Sequence, residues 1–269
     1  MSDFTVVTAL YNIGRENIDG RKWDEYLSWF SKTLKINCHM IVFVPSELKE
    51  FVETHRERLK TDIIVQELNE TPYYHLSPKI ADIVKDAEYN KKMNDSHRIE
   101  CSSSLYTCIQ YSKFKWMKKA ASMYENNHFI WMDAGLSRFF DDLNITAKYP
   151  GPNGASLMMQ QKGKIISQLF CNSYPDLFSA EEISKEYFWD NRSYVMGGMF
   201  AGNKSAIEKI DELTEDIIAN DMVANGLINN EQIALGYLVK KHGNLFAVFV
   251  NQGTHMGHRN YELINIIGS

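Results

Sequence analysis

The start of the chain alternates between short apolar segments and segments whose apolar residues recur at helical spacing. FTVVTAL at residues 4–10 and HMIVFVP at residues 39–45 are mostly apolar and rich in β-branched residues, as buried strands are. Between them, residues 21–35 carry an apolar side chain every three or four positions, the period of a helix that buries one face. Strands that are apolar throughout predict a mostly parallel sheet covered by helices on both faces.

The same alternation continues along the chain and predicts a single α/β domain over residues 1–269. Helices are expected to begin at Ser46 and at Ser77, because serine caps helix N-termini and Pro78 suits the first turn. Further helices are predicted over residues 102–124, 204–224 and 229–243, and strands over 62–68, 129–133, 155–159, 195–203 and 245–250. The charged segment 85–100 is expected to be a surface loop, and 162–192 an irregular helical subdomain.

Charge and cysteine content exclude several classes of protein. The net charge is −5 without a long basic run, which argues against electrostatic binding to nucleic acid or to anionic lipid. The 4 cysteines form neither a CxxC pair nor a Cys/His cluster, so a reducing, cytoplasmic location fits best. We find no signal peptide and no transmembrane segment in the sequence.

An aspartate directly follows one of the predicted buried strands. In FIWMDAG, Asp133 comes after four large apolar residues and before two very small ones, Ala134 and Gly135. Ligands of α/β proteins bind beyond the carboxyl ends of the strands, so this carboxylate is placed to hold Mg²⁺ or Mn²⁺ against a substrate phosphate. The alternative is an ordinary turn or helix-capping residue. The sequence contains none of four common motifs: GxGxxG of dinucleotide-binding folds, GxxxxGK[ST] of P-loop proteins, GxSxG of α/β-hydrolases and HExxH of zinc proteases. It therefore gives no support for these four classes.

Six segments, taken in order, resemble the landmarks of a known group of enzymes. TVVTALY, YSKFKW, FIWMDAG, VMGGMFAGN, NNEQIAL and THMGHR are similar to segments of GT-A fold glycosyltransferases, especially glycogenin-like enzymes, and of the HtrL/YibB-like family. The resemblance covers most of the chain. It implies a GT-A (Rossmann-like) domain, a nucleoside diphosphate sugar donor, UDP-sugar first among them, and a glycan or lipopolysaccharide-type acceptor.

The resemblance also assigns residues to the donor. The end of the first strand, with Thr8, Ala9 and Tyr11, would hold the nucleotide base and ribose. Arg15 lies in the following loop, where its guanidinium could bind a phosphate through two hydrogen bonds. Lys113 matches a lysine that contacts the donor diphosphate in similar enzymes. The alternative for Arg15 and Lys113 is an ordinary solvated side chain.

The metal motif of such enzymes is incomplete in this chain. Segment 133–135 carries one carboxylate where the family usually has two. The resemblance implies that His255 is the second ligand of the metal bound by Asp133, and imidazole suits Mn²⁺ better than Mg²⁺. His258 and Arg259 would contact the phosphates. The alternative is catalysis without a metal.

The remaining landmarks point to the reacting sugar and the acceptor. Gln232 would lie beneath the anomeric carbon, and Glu231 would hydrogen-bond the sugar or, in an inverting enzyme, deprotonate the acceptor. Gly197 and Gly198 would give the acceptor room to approach. For Glu231 and Gln232, the alternative is an ordinary helix N-terminus, where the helix dipole favours a negative charge. For the two glycines, the alternative is a β-bulge or a tight packing site.

Two other functions remain open from the sequence. A sugar nucleotidyltransferase would share the architecture, but its glycine-rich loop with a basic tail after the first strand is absent. A nucleotide-sugar or glycan binding protein without catalysis is compatible with the incomplete metal motif. Retention of configuration is slightly favoured by the resemblance alone.

Overall fold

The computed structural model describes residues 4–125, 128–140, 143–170, 183–191, 194–250 and 261–269. Seven strands alternate with helices along the described chain. The strands are β1 Phe4–Ala9, β2 His39–Val44, β3 Thr61–Val65, β4 His128–Met132, β5 Ile165–Leu169, β6 Met199–Asn203 and β7 Phe246–Val250. The α-helices are α1 Trp23–Thr33, α2 Lys49–Arg56, α3 Ser77–Lys85, α4 Ala87–Lys92, α5 Ile99–Ser102, α6 Ser104–Met123, α7 Pro152–Gln160, α8 Lys204–Asp216, α9 Glu231–Lys241 and α10 Glu262–Gly268.

All seven strands belong to one sheet, in the order β3-β2-β1-β4-β6-β5-β7. The pairs β1–β2, β2–β3, β1–β4 and β5–β7 are parallel, whereas β6 runs antiparallel to both of its neighbours. Helices cover both faces of this sheet. The structure therefore confirms the expected α/β class with a mostly parallel central sheet.

Two apolar cores lie on the two faces of the sheet, because successive side chains of a strand point to opposite sides. Val7 and Trp131 belong to the core that packs against α3, α6, α8 and α9. Val6 and Ile130 belong to the core that packs against α1, α2, α7 and α10. Each fully buried large side chain contributes about 1.5–3 kcal/mol of transfer free energy, so both layers hold the strand ends in fixed positions.

Three of the sequence expectations are wrong. Residues 155–159 form part of helix α7 rather than a strand, because Pro152 occupies the first turn and a short apolar run suits either structure. Segment 85–100 is not merely a solvated loop: it contains α4 and α5, and Tyr89 is buried at 2% exposure. Residues 165–169 form strand β5, next to the edge strand β7, within a segment expected to be irregular and helical. The sequence pattern missed this strand because the polar Ser167 and Gln168 are buried there.

Other differences are smaller. Strand β6 begins at Met199, later than the expected 195. The helix expected over 204–224 is α-helical only to Asp216 and continues as the π-helical turn Ile217–Met222. Helix α10 has no counterpart among the sequence predictions. Within the part of the chain that the structure describes, no helix combines the length and the apolar character needed to span a membrane.

Candidate functional site

A cleft opens at the carboxyl ends of β1 and β4. The chain runs from β1 outward to β2 and β3, then returns through α6 to β4 on the other side of β1. The place where the strand order reverses in this way is called the switch point of the sheet. It leaves a crevice beyond the strand ends, which is where open α/β sheets bind ligands. The cleft encloses about 130 Å³, or about 950 Å³ when its space open to solvent is included. Its walls come from the segments after β1 and β4 and from α1 and α6.

The structure brings seven of the predicted donor residues to this one cleft. Those that line it are Ala9, Tyr11, Arg15, Lys113, Asp133, Ala134 and Gly135. They come from three separate parts of the chain, and the parallel pairing of β1 with β4 aligns the strand ends that carry six of them. Thr8, by contrast, is fully buried in β1, and its hydroxyl has no hydrogen-bond partner among the described residues.

Asp133 lies at the floor of the cleft, one residue beyond β4. Its backbone N–H donates to the carbonyl oxygen of Gly198 at 2.9 Å, which extends the β4–β6 pairing by one step. The Oδ1 atom of its side chain accepts the Trp131 indole N–H at 2.7 Å and lies 3.1 Å from Nζ of Lys113. The side chain is 36% exposed, so this carboxylate is fixed by two donors and still faces the cleft.

Lys113 joins Asp133 to a second, deeply buried carboxylate. Its Nζ donates to Oε1 of Glu231 at 2.7 Å and to the carbonyl oxygen of Gly197 at 3.3 Å. The side chains of Lys113 and Glu231 are only 3% and 1% exposed. Lys113 is therefore not the solvated side chain that the sequence left open; it holds two carboxylates from separate elements together.

Glu231 is the first residue of α9, at the end where the helix dipole favours a negative charge. Asn230 caps this helix by accepting the backbone N–H of Gln232 at 2.8 Å. The Oε2 atom of Glu231 is buried without a hydrogen-bond partner among the described residues. Glu231 is thus anchored through one oxygen only, by Lys113.

The protonation of this pair follows from burial and from the charges around it. Burial raises the pKa of Glu231, and the neighbouring Lys113 ammonium opposes that rise. For Lys113, burial alone would lower the pKa, but the carboxylates of Asp133 and Glu231 outweigh it and raise the pKa above its ordinary value. Lys113 therefore stays charged at neutral pH.

Aromatic rings form one wall of the cleft. Tyr11 stacks on Trp116 with ring centroids 5.5 Å apart, and Trp116 stacks on Trp131 at 6.1 Å. The guanidinium of Arg15 lies over the ring of Tyr106, 4.8 Å from its centroid, and over that of Tyr26 at 5.8 Å. Flat rings and a guanidinium beside a carboxylate suit a ligand that combines an aromatic base with anionic groups.

The two glycines before β6 pack tightly against the site. A Cβ atom at Gly197 would collide with the side chains of Glu231 and Gln232. One at Gly198 would lie 2.9 Å from the hydroxyl oxygen of Tyr261. The space beside both glycines is thus filled by protein side chains, in accord with the tight packing that the sequence left as an alternative.

Some of the predicted site residues lie elsewhere or cannot be placed. Gln232 is partly exposed and lies beside Gly197, but it does not line the cleft. His255, His258 and Arg259 lie outside the described residues.

A metal ion would find one suitable ligand in the described part of the site. Among the described residues, no three His, Cys, Asp or Glu side chains come together to hold a metal. The Oδ2 atom of Asp133 lies 3.5 Å from Nζ of Lys113 and belongs to a side chain that faces the cleft. One such carboxylate oxygen fits Mg²⁺ or Mn²⁺ if water and a diphosphate supply the other ligands.

The structure adds cleft residues that the sequence did not suggest. Arg138 and Tyr261 line the cleft, as do Arg21 and Tyr106. The one available signal for Arg138 was its place in LSRFF, directly after the strand that ends at Asp133. Tyr261 carries no such signal, because only the tertiary fold brings it from near α10 to the carboxyl end of β4.

A mostly parallel sheet with a charged cleft at its switch point defines a class of α/β proteins that bind a ligand beyond the strand ends. Within that class, the chain belongs to a family described as "Bacterial protein of unknown function (HtrL_YibB)", whose model matches residues 2–258. This confirms the family resemblance found in the sequence. The chain is 25% identical over 260 residues to Protein HtrL of Escherichia coli (strain K12), which covers 91% of this chain and 87% of that protein.

The fold can also be compared with a solved structure. The crystal structure of mouse xyloside xylosyltransferase 1, in its apo form, superposes with a TM-score of 0.43 and 10% sequence identity. The match covers 92% of this chain and 84% of the mouse chain.

Proposed function

We propose that this chain is a cytoplasmic glycosyltransferase that transfers a sugar from a nucleoside diphosphate sugar, with UDP-sugar as the first candidate, to a glycan or lipopolysaccharide-type acceptor. The observation that carries this proposal is the position of Asp133. It is a fixed, half-exposed carboxylate at the switch point of the sheet, in a cleft that also holds stacked aromatic rings and arginines. That combination matches the three parts of such a donor, which are base, diphosphate and sugar.

Sugar transfer breaks the bond between the anomeric carbon and the diphosphate, so negative charge develops on the leaving group. Arg15 lines the cleft, and we propose that its guanidinium offsets part of that charge, although Asp19 already neutralises part of its own. We propose that Asp133 and His255 hold Mn²⁺ or Mg²⁺, which when bound would neutralise the diphosphate further. His258 and Arg259 are proposed to contact the phosphates.

Gln232 is proposed to act at the sugar, and Glu231 is proposed to support the site from beneath. Because Glu231 is buried and bonded to Lys113, we propose that it fixes the lysine, which in turn orients Asp133 for the donor. The role of acceptor base would require a carboxylate that reaches the cleft. Gln232 is proposed to stabilise positive charge at the anomeric carbon, with retention of configuration slightly favoured. Gly197 and Gly198 remain the proposed acceptor side.

A second candidate is a nucleotide-sugar or glycan binding protein without catalysis. One observation favours it: the buried charges of Lys113 and Glu231 pair with each other, so neither is directed at a bound ligand. A sugar nucleotidyltransferase is the third and weakest candidate, because the glycine-rich loop with a basic tail is missing.

The test has two stages. Thermal unfolding is first measured with a panel of nucleoside diphosphate sugars, with and without Mn²⁺. A donor at 100 times its dissociation constant adds about 2.7 kcal/mol of stability and should raise the midpoint by several degrees. For the donor that binds, release of nucleoside diphosphate is then followed with glycan acceptors present. Binding with turnover supports the enzyme, binding without turnover supports the second candidate, and a midpoint that no donor raises contradicts both.

A further inference from the structure

The cations that line the cleft differ in how far they are already neutralised. Lys113, which the sequence suggested as a phosphate contact, is 3% exposed and bonded to two carboxylates. Its ammonium has little capacity left for a ligand. Arg15 forms an ion pair with Asp19 through its Nη2 and Nε atoms, and its guanidinium packs against two tyrosine rings. These two cations are therefore engaged within the protein.

Arg138 is different. It is exposed, it lines the cleft, and it forms no ion pair or side-chain hydrogen bond with any residue that the structure describes. Its guanidinium lies over the ring of Trp29 at 5.1 Å and over that of Phe139 at 5.0 Å. Such packing fixes the plane of the guanidinium and leaves its N–H groups free at the edges.

The segment that carries Arg138 is held firmly at the site. The 3-10 helix Leu136–Phe139 begins three residues after Asp133, whose carbonyl oxygen accepts the backbone N–H of Leu136 at 2.9 Å. The hydroxyl of Ser137 donates to the carbonyl oxygen of Trp29 at 2.6 Å. Arg138 is therefore positioned by the same turn that places Asp133.

Tyr261 shows that the charges of Asp133 and Arg138 act on the same part of the cleft. Burial raises the pKa of Tyr261 to about 12, Asp133 adds to the rise, and Arg138 opposes it. The Tyr261 hydroxyl is thus near enough to both the Asp133 carboxylate and the Arg138 guanidinium for each of them to shift its pKa. A ligand that carries negative charge and enters between them would meet Arg138 as a cation that pairs with no described carboxylate.

We infer that Arg138 is the residue that binds the diphosphate of a nucleoside diphosphate ligand, whereas Lys113 acts from beneath as a positioning residue for Asp133. This inference rests on the proposed function, because it assumes that the ligand carries a diphosphate. A planar guanidinium suits that group, since it can donate two parallel hydrogen bonds to phosphate oxygens.

The experiment compares three variants with the wild-type protein by isothermal titration calorimetry. Arg138→Gln removes the charge, Arg138→Lys keeps the charge without the two-pronged geometry, and Arg58→Gln is the matched control. Arg58 is also exposed and lines a second cavity, beside His39 and Phe4 at the amino ends of β1 and β2, at the opposite edge of the sheet. The probes are UDP and, to test the phosphates without a base, inorganic pyrophosphate. Thermal midpoints verify that each variant folds.

Arg138→Gln should weaken the binding of both probes by about tenfold or more, Arg138→Lys by less, and Arg58→Gln by less than about twofold. If the affinity of Arg138→Gln for the two probes changes by less than about twofold, the inference is wrong. Binding of UDP to the wild-type protein would still support the proposed function in that case. An equal loss in Arg58→Gln would also overturn it, because the effect would then come from net charge. If the wild-type protein binds neither probe, the inference and the proposed function both fail.

Discussion

Replacing Lys113 by methionine is the most informative perturbation of the buried network. The substitution keeps an unbranched side chain of nearly the same length and removes its charge. It leaves Glu231, which is 1% exposed, without the ammonium that lies 2.7 Å from its Oε1 atom. It also removes the donor to the carbonyl oxygen of Gly197. The main effect of the variant is therefore a buried carboxylate that has lost its counter-ion.

The expected cost follows from the separation of the charges. At 2.7 Å the attraction between the two charges is roughly 6 kcal/mol for an effective dielectric constant of about 20. The desolvation of two buried ions costs several kcal/mol for each, so the intact pair contributes little net stability. Removing one partner leaves the desolvation of the other uncompensated, which costs about 3–5 kcal/mol. For a chain of 269 residues this corresponds to a decrease in the unfolding midpoint on the order of 10 °C.

The cost should depend on pH, and the pKa of Glu231 gives its sign. Burial raises this pKa above the ordinary 4.5, and Lys113 limits the rise. A carboxyl group with a raised pKa favours the folded state below its unfolded pKa, and that contribution decreases as pH rises through the folded pKa. Lys113→Met raises the folded pKa further. The difference in stability between wild type and variant should therefore be small near pH 4.5 and increase towards pH 8.

Thermal unfolding of four proteins between pH 5 and pH 8 tests this reasoning. They are the wild type, Lys113→Met, Glu231→Gln and the double variant. Because the double variant leaves no buried charge unpaired at this position, it should recover about half or more of the stability lost in Lys113→Met. A loss below about 1 kcal/mol in Lys113→Met, or a double variant no more stable than Lys113→Met at pH 8, would refute the reasoning.

Three further predictions concern other parts of the chain. Arg56 is buried, and its guanidinium donates to four backbone carbonyl groups and one hydroxyl, so Arg56→Ala should cost about 3 kcal/mol or more in denaturant unfolding. The exposed Arg58→Ala serves as its control, and equal losses in the two would count against it. Gly154→Ala should cost about 1–3 kcal/mol in the same measurement, because its Cβ atom would collide with the backbone of Ile267. Gly243→Ala is the control: its Cβ atom would point into open space, so the substitution should be neutral. A Gly154→Ala variant as stable as the wild type would show that α10 can move aside. Asp133→Asn should abolish the dependence of UDP affinity on Mn²⁺ in calorimetric titrations, and an unchanged dependence would remove Asp133 as the metal ligand.

The fold could be predicted wherever the local pattern of apolar residues fits only one type of secondary structure. The apolar runs at β1, β2 and β4, and the helical spacing of α1 and α6, identified the layers of the sheet correctly. Residues 155–159 were mistaken because a short apolar run suits a helix or a strand, and only the packing of Gly154 against α10 decides between them. Strand β5 was missed because Ser167 and Gln168 are buried, which a hydrophobic pattern does not indicate.

The site residues that directly follow a predicted strand could be found from the sequence. Asp133 follows a buried strand, and Tyr11 and Arg15 follow another, so a site at the carboxyl ends of these strands could be predicted from the sequence. The pairing of Lys113 with Glu231 could not, since the two residues are 118 positions apart and meet only when α6 and α9 pack on the sheet. The sequence also could not show that Arg138 pairs with no carboxylate of the described residues, because such pairing depends on the tertiary fold.

The most direct measurement is a crystal structure of the protein grown or soaked with UDP and Mn²⁺. We expect electron density for the nucleotide in the cleft at the carboxyl ends of β1 and β4, with the base beside Tyr11 and the diphosphate beside Asp133. Density at the opposite edge of the sheet, or an empty cleft at a concentration of UDP that raises the unfolding midpoint, would contradict it.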